Sequence, residues 1–319
     1  MALTVTRGLF GGAAAALLVA GCGGGSPAIA PSGYRVLPGP AVVGPVNVRD
    51  SPQLKRHGYV LRKTAETLYV ADARNDRVVL YDPTTPNPSP IGQITDGMSF
   101  PSGLAVDKNG TLYVANQGND TVTEYRAGKT KAFFTISSGL SAPYGIGVDG
   151  AGRVFVSNLT GGVAAFKPGK STPYETVAAG PNPCGVAIDR ENNVYVASDS
   201  ENRVYLIPAG SPTSQNLGLV GLNGPIGLAF KSADTLYVGN YGGNDVEIYP
   251  SGSKSPSRTI TTGISGPTLN GFVKGGVFFQ SNEDSGLVEG YKGKQTSPYS
   301  TITGIPQPLG VASFPRQKT

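Results

Sequence analysis

Three observations predict that this chain is all-β: a six-bladed β-propeller of four-stranded antiparallel blades whose ring is closed by the C-terminal strand. First, a segment of the form Pro-x-Gly, short apolar run, turn, Leu-Tyr-Val-Ala-Asn, gap, Val-x-x-Tyr returns every 40 to 42 residues, from Pro101, Pro143, Pro183, Pro225 and, in a degenerate copy, Pro267. Second, each copy is built of strand-like pieces that cannot bury their faces alone, so the copies must stack. Third, the ends are complementary halves. ETLYVADARNDRVVLYDP, from Glu66, lacks a clear first strand, and PLGVASF, from Pro308, is a first strand with nothing after it. Joined, they complete one more blade.

At the N-terminus Arg7 precedes an apolar stretch from Leu9 to Ala20, too short to span a bilayer and of the length of a secretory signal core. It leads into Val19-Ala20-Gly21-Cys22, which resembles the lipobox of bacterial lipoproteins. The resemblance implies that residues 1–22 are a signal peptide and that Cys22 becomes the diacylated first residue of the mature chain. Residues 23–56, rich in Gly, Pro and Ser and without periodicity, read as a tether. Residues 57–319 then form the propeller. The expected place is the cell envelope, lipid-anchored on the extracytoplasmic side, whether periplasm, outer membrane or cell surface. With Cys22 acylated, Cys184 is the remaining thiol, and no intramolecular disulfide is expected.

Composition agrees with many short strands and turns: 46 Gly, 26 Pro and no Trp. The net charge of +5, or +4 once Arg7 is removed, is mild, and no run of Lys or Arg reads as a nucleic-acid stripe. The expected molecule is a monomer that binds no nucleic acid and meets the membrane through its lipid alone.

Within a blade, PSGLAVD alternates the large Leu104 and Val106 with the small Gly103 and Ala105, so both faces of the first strand are apolar and must be covered. DKNG, DGAG and DREN follow as tight turns in which Asp107, Asp149 and Asp189 bond the turn's own backbone, a role that fits better than ligation. The second strand, Leu112 to Ala115, ends at Asn116. The third lies around Val122 to Tyr125, and the fourth around Phe133 to Ile136.

The motif P-x-G-[LIV]-A-V-D, turn, L-Y-V-A-[ND], gap, V-x-x-Y resembles the NHL-type repeat, and more broadly the six-bladed propellers grouped with gluconolactonases and streptogramin lyases. That grouping implies lactonases, lyases, sensor domains or interaction scaffolds, so it identifies a fold and leaves function open. The gluconolactonase pattern places a Glu at the start of an inner strand as a metal ligand, and here no first strand begins with a carboxylate. The lyase branch uses His, and this chain has one, His57.

Candidate binding residues are those ending second strands or following the repeat's Pro, which share one face of the disc: Asp72, Asn116, Tyr144, Asn158, Cys184, Asn240 and Asn282. The Asx residues either present oxygens to a cation such as calcium or cap their strands. Cys184 is a nucleophile facing the axis or an inert thiol, and with no activating His in view the second reading is favoured. In the sixth copy Asn270 and Gln280 replace apolar residues and should be cross-strand neighbours, either satisfying each other or forming a polar notch at the seam of blades six and one. The expected function is a non-catalytic binding or scaffold module for a protein, glycan or small-molecule partner, without a cofactor. The alternative is a metal-dependent lactonase or hydrolase, for which calcium would be the cation.

Overall fold

The computed structural model describes residues 66–231 and 235–314. The expected signal peptide, Cys22, the tether and His57 lie outside the described residues. Six four-stranded antiparallel sheets form the six blades. First strands begin at each repeat's Pro: Pro101–Val106, Pro143–Val148, Pro183–Ile188, Pro225–Lys231 and Pro267–Phe272 open blades two to six. Blade one takes its first strand from the other end of the chain: Pro308–Phe314 pairs with Thr67–Asp72, with Thr67 opposite Phe314 and Val70 opposite Val311. The expected closure is thus what the fold contains.

The Gly of Pro-x-Gly is imposed by the stacking. A Cβ on Gly103 would lie 2.3 Å from the carbonyl oxygen of Tyr144, and one on Gly185 would lie 2.1 Å from that of Ile226. Inner strands of neighbouring blades approach backbone to backbone, which only a residue without a side chain allows. Farther out, apolar side chains interleave between blades: Tyr113, Ala115 and Val122 of blade two pack with Ile146, Val148 and Val156 of blade three. Toward the rim the strands lose length and cover, from Ala132–Ile136 in blade two to Gln215–Asn216 in blade four.

The repeated polar residues hold this arrangement. Asp107 accepts the N–H groups of Asn109 and Thr111, both at 2.8 Å, and Asp149 and Asp189 close their turns in the same way. The last Tyr of Val-x-x-Tyr reaches the linker arriving from the preceding blade: Tyr249 donates to the Val220 carbonyl at 2.7 Å and Tyr291 to that of Thr262 at 2.8 Å. A second set of ties crosses between blades. Asp76, Asp120, Asn202 and Asn244 sit in the left-handed region, where short polar side chains are tolerated. Each accepts the N–H of the residue before the next blade's Pro, namely Phe100, Ala142, Gly224 and Gly266, at 2.6 to 2.7 Å.

Candidate recognition face

In an antiparallel four-stranded blade the connections from second to third strand share one end with the crossovers into the next first strand. This end is the mouth of the propeller, and the candidate residues gather there. Asn116, Asn158, Asn240 and Asn282 are buried, and their side-chain oxygens accept the N–H groups of Ser99, Ser141, Asn223 and Ser265 at 3.0 to 3.4 Å. Three of them also donate, to the carbonyls of Gly139, Gly221 and Gly263. Each Asn therefore pins the incoming crossover two residues ahead of its Pro.

The exceptions follow the same physics. In blades four and one the crossover position is Pro181 or Pro306, which has no N–H to offer. Blade four carries Ser198 instead of Asn, and its hydroxyl donates to the Pro181 carbonyl at 2.6 Å. Blade one carries Asp72, held by Asn75 and Arg77 at 2.8 Å each. The second carboxylate oxygen of Asp72 is buried without a hydrogen bond.

The residues after each Pro ring the axis, and all are buried: Ser102, Tyr144, Cys184, Ile226, Thr268 and Leu309. Ser102 donates to backbone carbonyls of blade three, and Thr268 to the Pro308 carbonyl of blade one, each at 3.1 Å. Cys184 is disulfide-bonded, which corrects the expectation of an inert free thiol; the chain's other cysteine is Cys22. The Tyr144 hydroxyl has no hydrogen-bond partner. Burial pushes its pKa well up, and Glu283, Tyr241 and Asp199 push it further, so a phenol rooted in blade three senses blades four to six across the axis.

Sequence reasoning missed the residues immediately after the recurrent Asx, which are Ala73, Gln117, Leu159, Asp199, Tyr241 and Glu283 from blade one to blade six. Gln117 is buried with both amide atoms unpartnered. Asp199 accepts the Asn182 amide at 2.6 Å, and Tyr241 donates to Asp284 at 3.0 Å. Burial raises the pKa of Glu283 against the opposing hydrogen bond from Gln307 at 2.7 Å. The available signal was variability: this position differs in every blade beside one that is nearly constant.

Asn270 and Gln280 are cross-strand partners as expected, joined from Asn270 Nδ2 to Gln280 Oε1 at 3.1 Å. Gln280 also donates to the carbonyls of Thr268 and Ser281, both at 2.8 Å. Their seam requires correction. The pair abuts blade five, where a Cβ on Gly227 would lie 2.6 Å from Asn270 Nδ2 and one on Gly239 would lie 3.0 Å from Gln280 Oε1. The amides face back along the ring, onto the preceding blade's glycines, and not toward blade one.

Among the described residues no group of three or more His, Cys, Asp or Glu side chains is placed to hold a metal ion. No protein-family model matches the chain, and no curated protein matches it. Among solved structures it is similar to a chain of a nidogen/laminin complex, at a TM-score of 0.64 and 15% identity, covering 79% of this chain and 100% of that one. It is also similar to a functionally unknown protein from Desulfotomaculum acetoxidans DSM 771, at a TM-score of 0.54 and 15% identity, covering 76% and 83%. At such identities the likeness establishes the fold alone.

Proposed function

We propose that this chain is an envelope lipoprotein of the NHL-type propeller kind whose mouth is a non-catalytic binding face for a protein, glycan or small-molecule partner. The observation that carries this reading is the contrast at the mouth. The Asn residues are spent on pinning crossovers, while the adjoining Gln117, Asp199, Tyr241 and Glu283 are different in each blade and stand on that rigid frame. A rigid scaffold bearing variable loop side chains is the usual construction of a recognition surface. The structural likeness to a chain from a nidogen/laminin assembly is compatible with it.

The lactonase reading finds no ligand set in these residues. The Asn oxygens already accept backbone N–H groups, and Asp72 is paired with Arg77. Calcium would have to displace bonds that hold the crossovers.

Photo-crosslinking from position 117 in envelope preparations, repeated in an Asp199→Asn/Glu283→Gln background, tests the binding face. A partner captured by the parent and lost from the variant at unchanged melting temperature is expected. Capture indifferent to the change, or lactone turnover that the change abolishes, would overturn it. The anchor has its own test, because the Cys22 sulfur can carry a thioether or a disulfide but not both. Mass spectrometry should find Cys22 diacylated at the mature N-terminus, and a Cys22 recovered in a disulfide-linked peptide would refute the lipid.

A further inference from the structure

Charge is sorted between the two ends of the disc. In the mouth connections Arg74 is the only cation among the described residues, with Arg77 and Arg203 opening the adjoining third strands, against Asp76, Asp96, Asp120, Asp199, Glu201, Glu283 and Asp284. The opposite end carries the connections between third and fourth strands together with the first-to-second-strand turns, in which Asp107, Asp149, Asp189 and Glu191 stand beside Lys108, Arg190 and Lys274. There blade two has Arg126, Lys129 and Lys131, the last paired with Asp96 at 2.8 Å, and blade three has Lys167 and Lys170. Blade five adds Lys254, and blade six Lys294 with Lys292 closing its third strand, while Asp82 is the one carboxylate of the third-to-fourth-strand connections among the described residues, so cations outnumber carboxylates at this end.

Aromatic rings accompany the cations. The guanidinium of Arg126 lies 4.5 Å from the centre of the Phe133 ring, and the ammonium groups of Lys167 and Lys292 lie 5.7 and 5.2 Å from those of Tyr174 and Tyr299. Phe133 is 43% exposed and Tyr174 42%. A cavity of about 160 Å³ on the axis, lined by first-strand residues including Val106, Val148, Ile188, Phe230 and Phe272, lies toward the same end.

We propose that this basic end docks flat on an anionic lipid bilayer, leaving the acidic mouth turned away from the membrane. Charge complementarity and shape together select the occupant. The cations come from blades two, three, five and six, so they are spread around one flat end of a disc, and a plane of anionic headgroups meets them at once. A linear polyanion would reach only adjacent blades. Partly exposed aromatic rings beside Lys and Arg suit the headgroup layer, and each cation near an anionic surface adds to the attraction. The inference does not depend on acylation at Cys22, since the attraction lies in the folded blades.

The test is sedimentation of the full chain with phosphatidylcholine vesicles and with vesicles also containing phosphatidylglycerol, at low and high salt. The N-terminal residues carry cations of their own, including Arg49, Lys55, Arg56, Arg62 and Lys63, so the blade variants decide which cations are responsible. The expected result is at least about tenfold tighter association with the anionic vesicles at low salt, lost at high salt. The combined variant Lys129→Gln, Lys170→Gln, Lys254→Gln and Lys294→Gln should erase that gain without changing the neutral-vesicle value. The Lys→Arg version at the same positions should keep it, which preserves the test if the Gln variant folds poorly. Equal association with both vesicle types, or a gain that survives the Gln changes in a folded protein, overturns the proposal. So does heparin binding without vesicle preference, which would put a linear polyanion in place of the bilayer.

Discussion

Glu124 stands at a third-strand position where the other blades carry Leu80, Ala165, Leu206, Ile248 and Gly290. Its cross-strand neighbours are Tyr113 and Phe134, and it is 6% exposed. Burial, with the charge of Asp107 added, pushes its pKa up to about 7. An unfolded chain releases this proton near the ordinary carboxylate value, so between that value and about 7 the native state holds the extra proton. Stability should therefore fall as pH rises through this window and level off above it, by a total on the order of 3 kcal/mol. Glu124→Gln should flatten that part of the curve and be the more stable protein at pH above the window, as read from urea unfolding across pH. A variant with the parent's pH slope would show that Glu124 is not its source. The sequence marks this residue only as a departure from the repeat, since its penalty comes from a blade-to-blade interior that no local pattern describes. Asp107, by contrast, was legible, because its partners lie within its own turn.

At the scale of the strand, the amide pair of blade six is matched by an adjustment in blade five. The second strand of blade five reads Leu-Tyr-Val-Gly, and the Gly239 position is Ala71, Ala115, Ser157, Ala197 or Ser281 in the other blades. A Cβ there would stand 3.0 Å from Gln280 Oε1 and 3.4 Å from both Asn270 Nδ2 and the Thr268 carbonyl. Gln280 cannot swing aside without losing its bonds to Asn270, Thr268 and Ser281. Gly239→Ala should thus destabilise the parent by about 1–3 kcal/mol, although Ala is ordinarily the better strand residue. Combined with Asn270→Leu and Gln280→Val it should become neutral or stabilising, a non-additivity that thermal unfolding of the cycle would measure. Additive effects would mean that the two blades are not coupled here. The pairing of Asn270 with Gln280 was readable from offsets within the repeat. The seam was not, because period-two alternation says that a side chain leaves the sheet and not which neighbouring blade it meets. The crossing ties from Asp76, Asp120, Asn202 and Asn244 escaped for a related reason: their partners lie on the next blade, 22 to 24 residues away.

The whole ring depends on one strand that is distant in sequence from the blade it completes. Pro308–Phe314 covers Thr67–Asp72 through five paired positions and brings Leu309 and Val311 into the core. It also ties the seam of blades six and one, through Thr268 to the Pro308 carbonyl and Ser313 to the Phe272 carbonyl at 3.1 and 2.9 Å. Without it that seam keeps the packing of Leu68, Val70 and Val79 against Phe279, Val288 and Ile302, and rim contacts such as Asn87 with Ser300 and Thr301 at 3.1 and 2.7 Å. That packing loses the cover of Val311, and Thr67–Asp72 loses its inner partner strand. Closure was legible from composition of the ends alone, since a lone first strand and a blade lacking one have a single mutual solution in a ring. Chains cut before Pro308 should therefore expose the apolar edge Leu68-Tyr69-Val70, which in a sheet recruits further strands. The expected outcome is a markedly lower melting temperature with concentration-dependent association, and a synthetic peptide spanning 306–319 added in excess should reverse both by refilling the gap. The peptide separates loss of closure from general damage, because it restores the missing pairs and nothing else. A truncated chain that stays monomeric at the parent's melting temperature would place closure elsewhere, and one that the peptide does not rescue would mean that the strand must be covalently joined for the last blade to form.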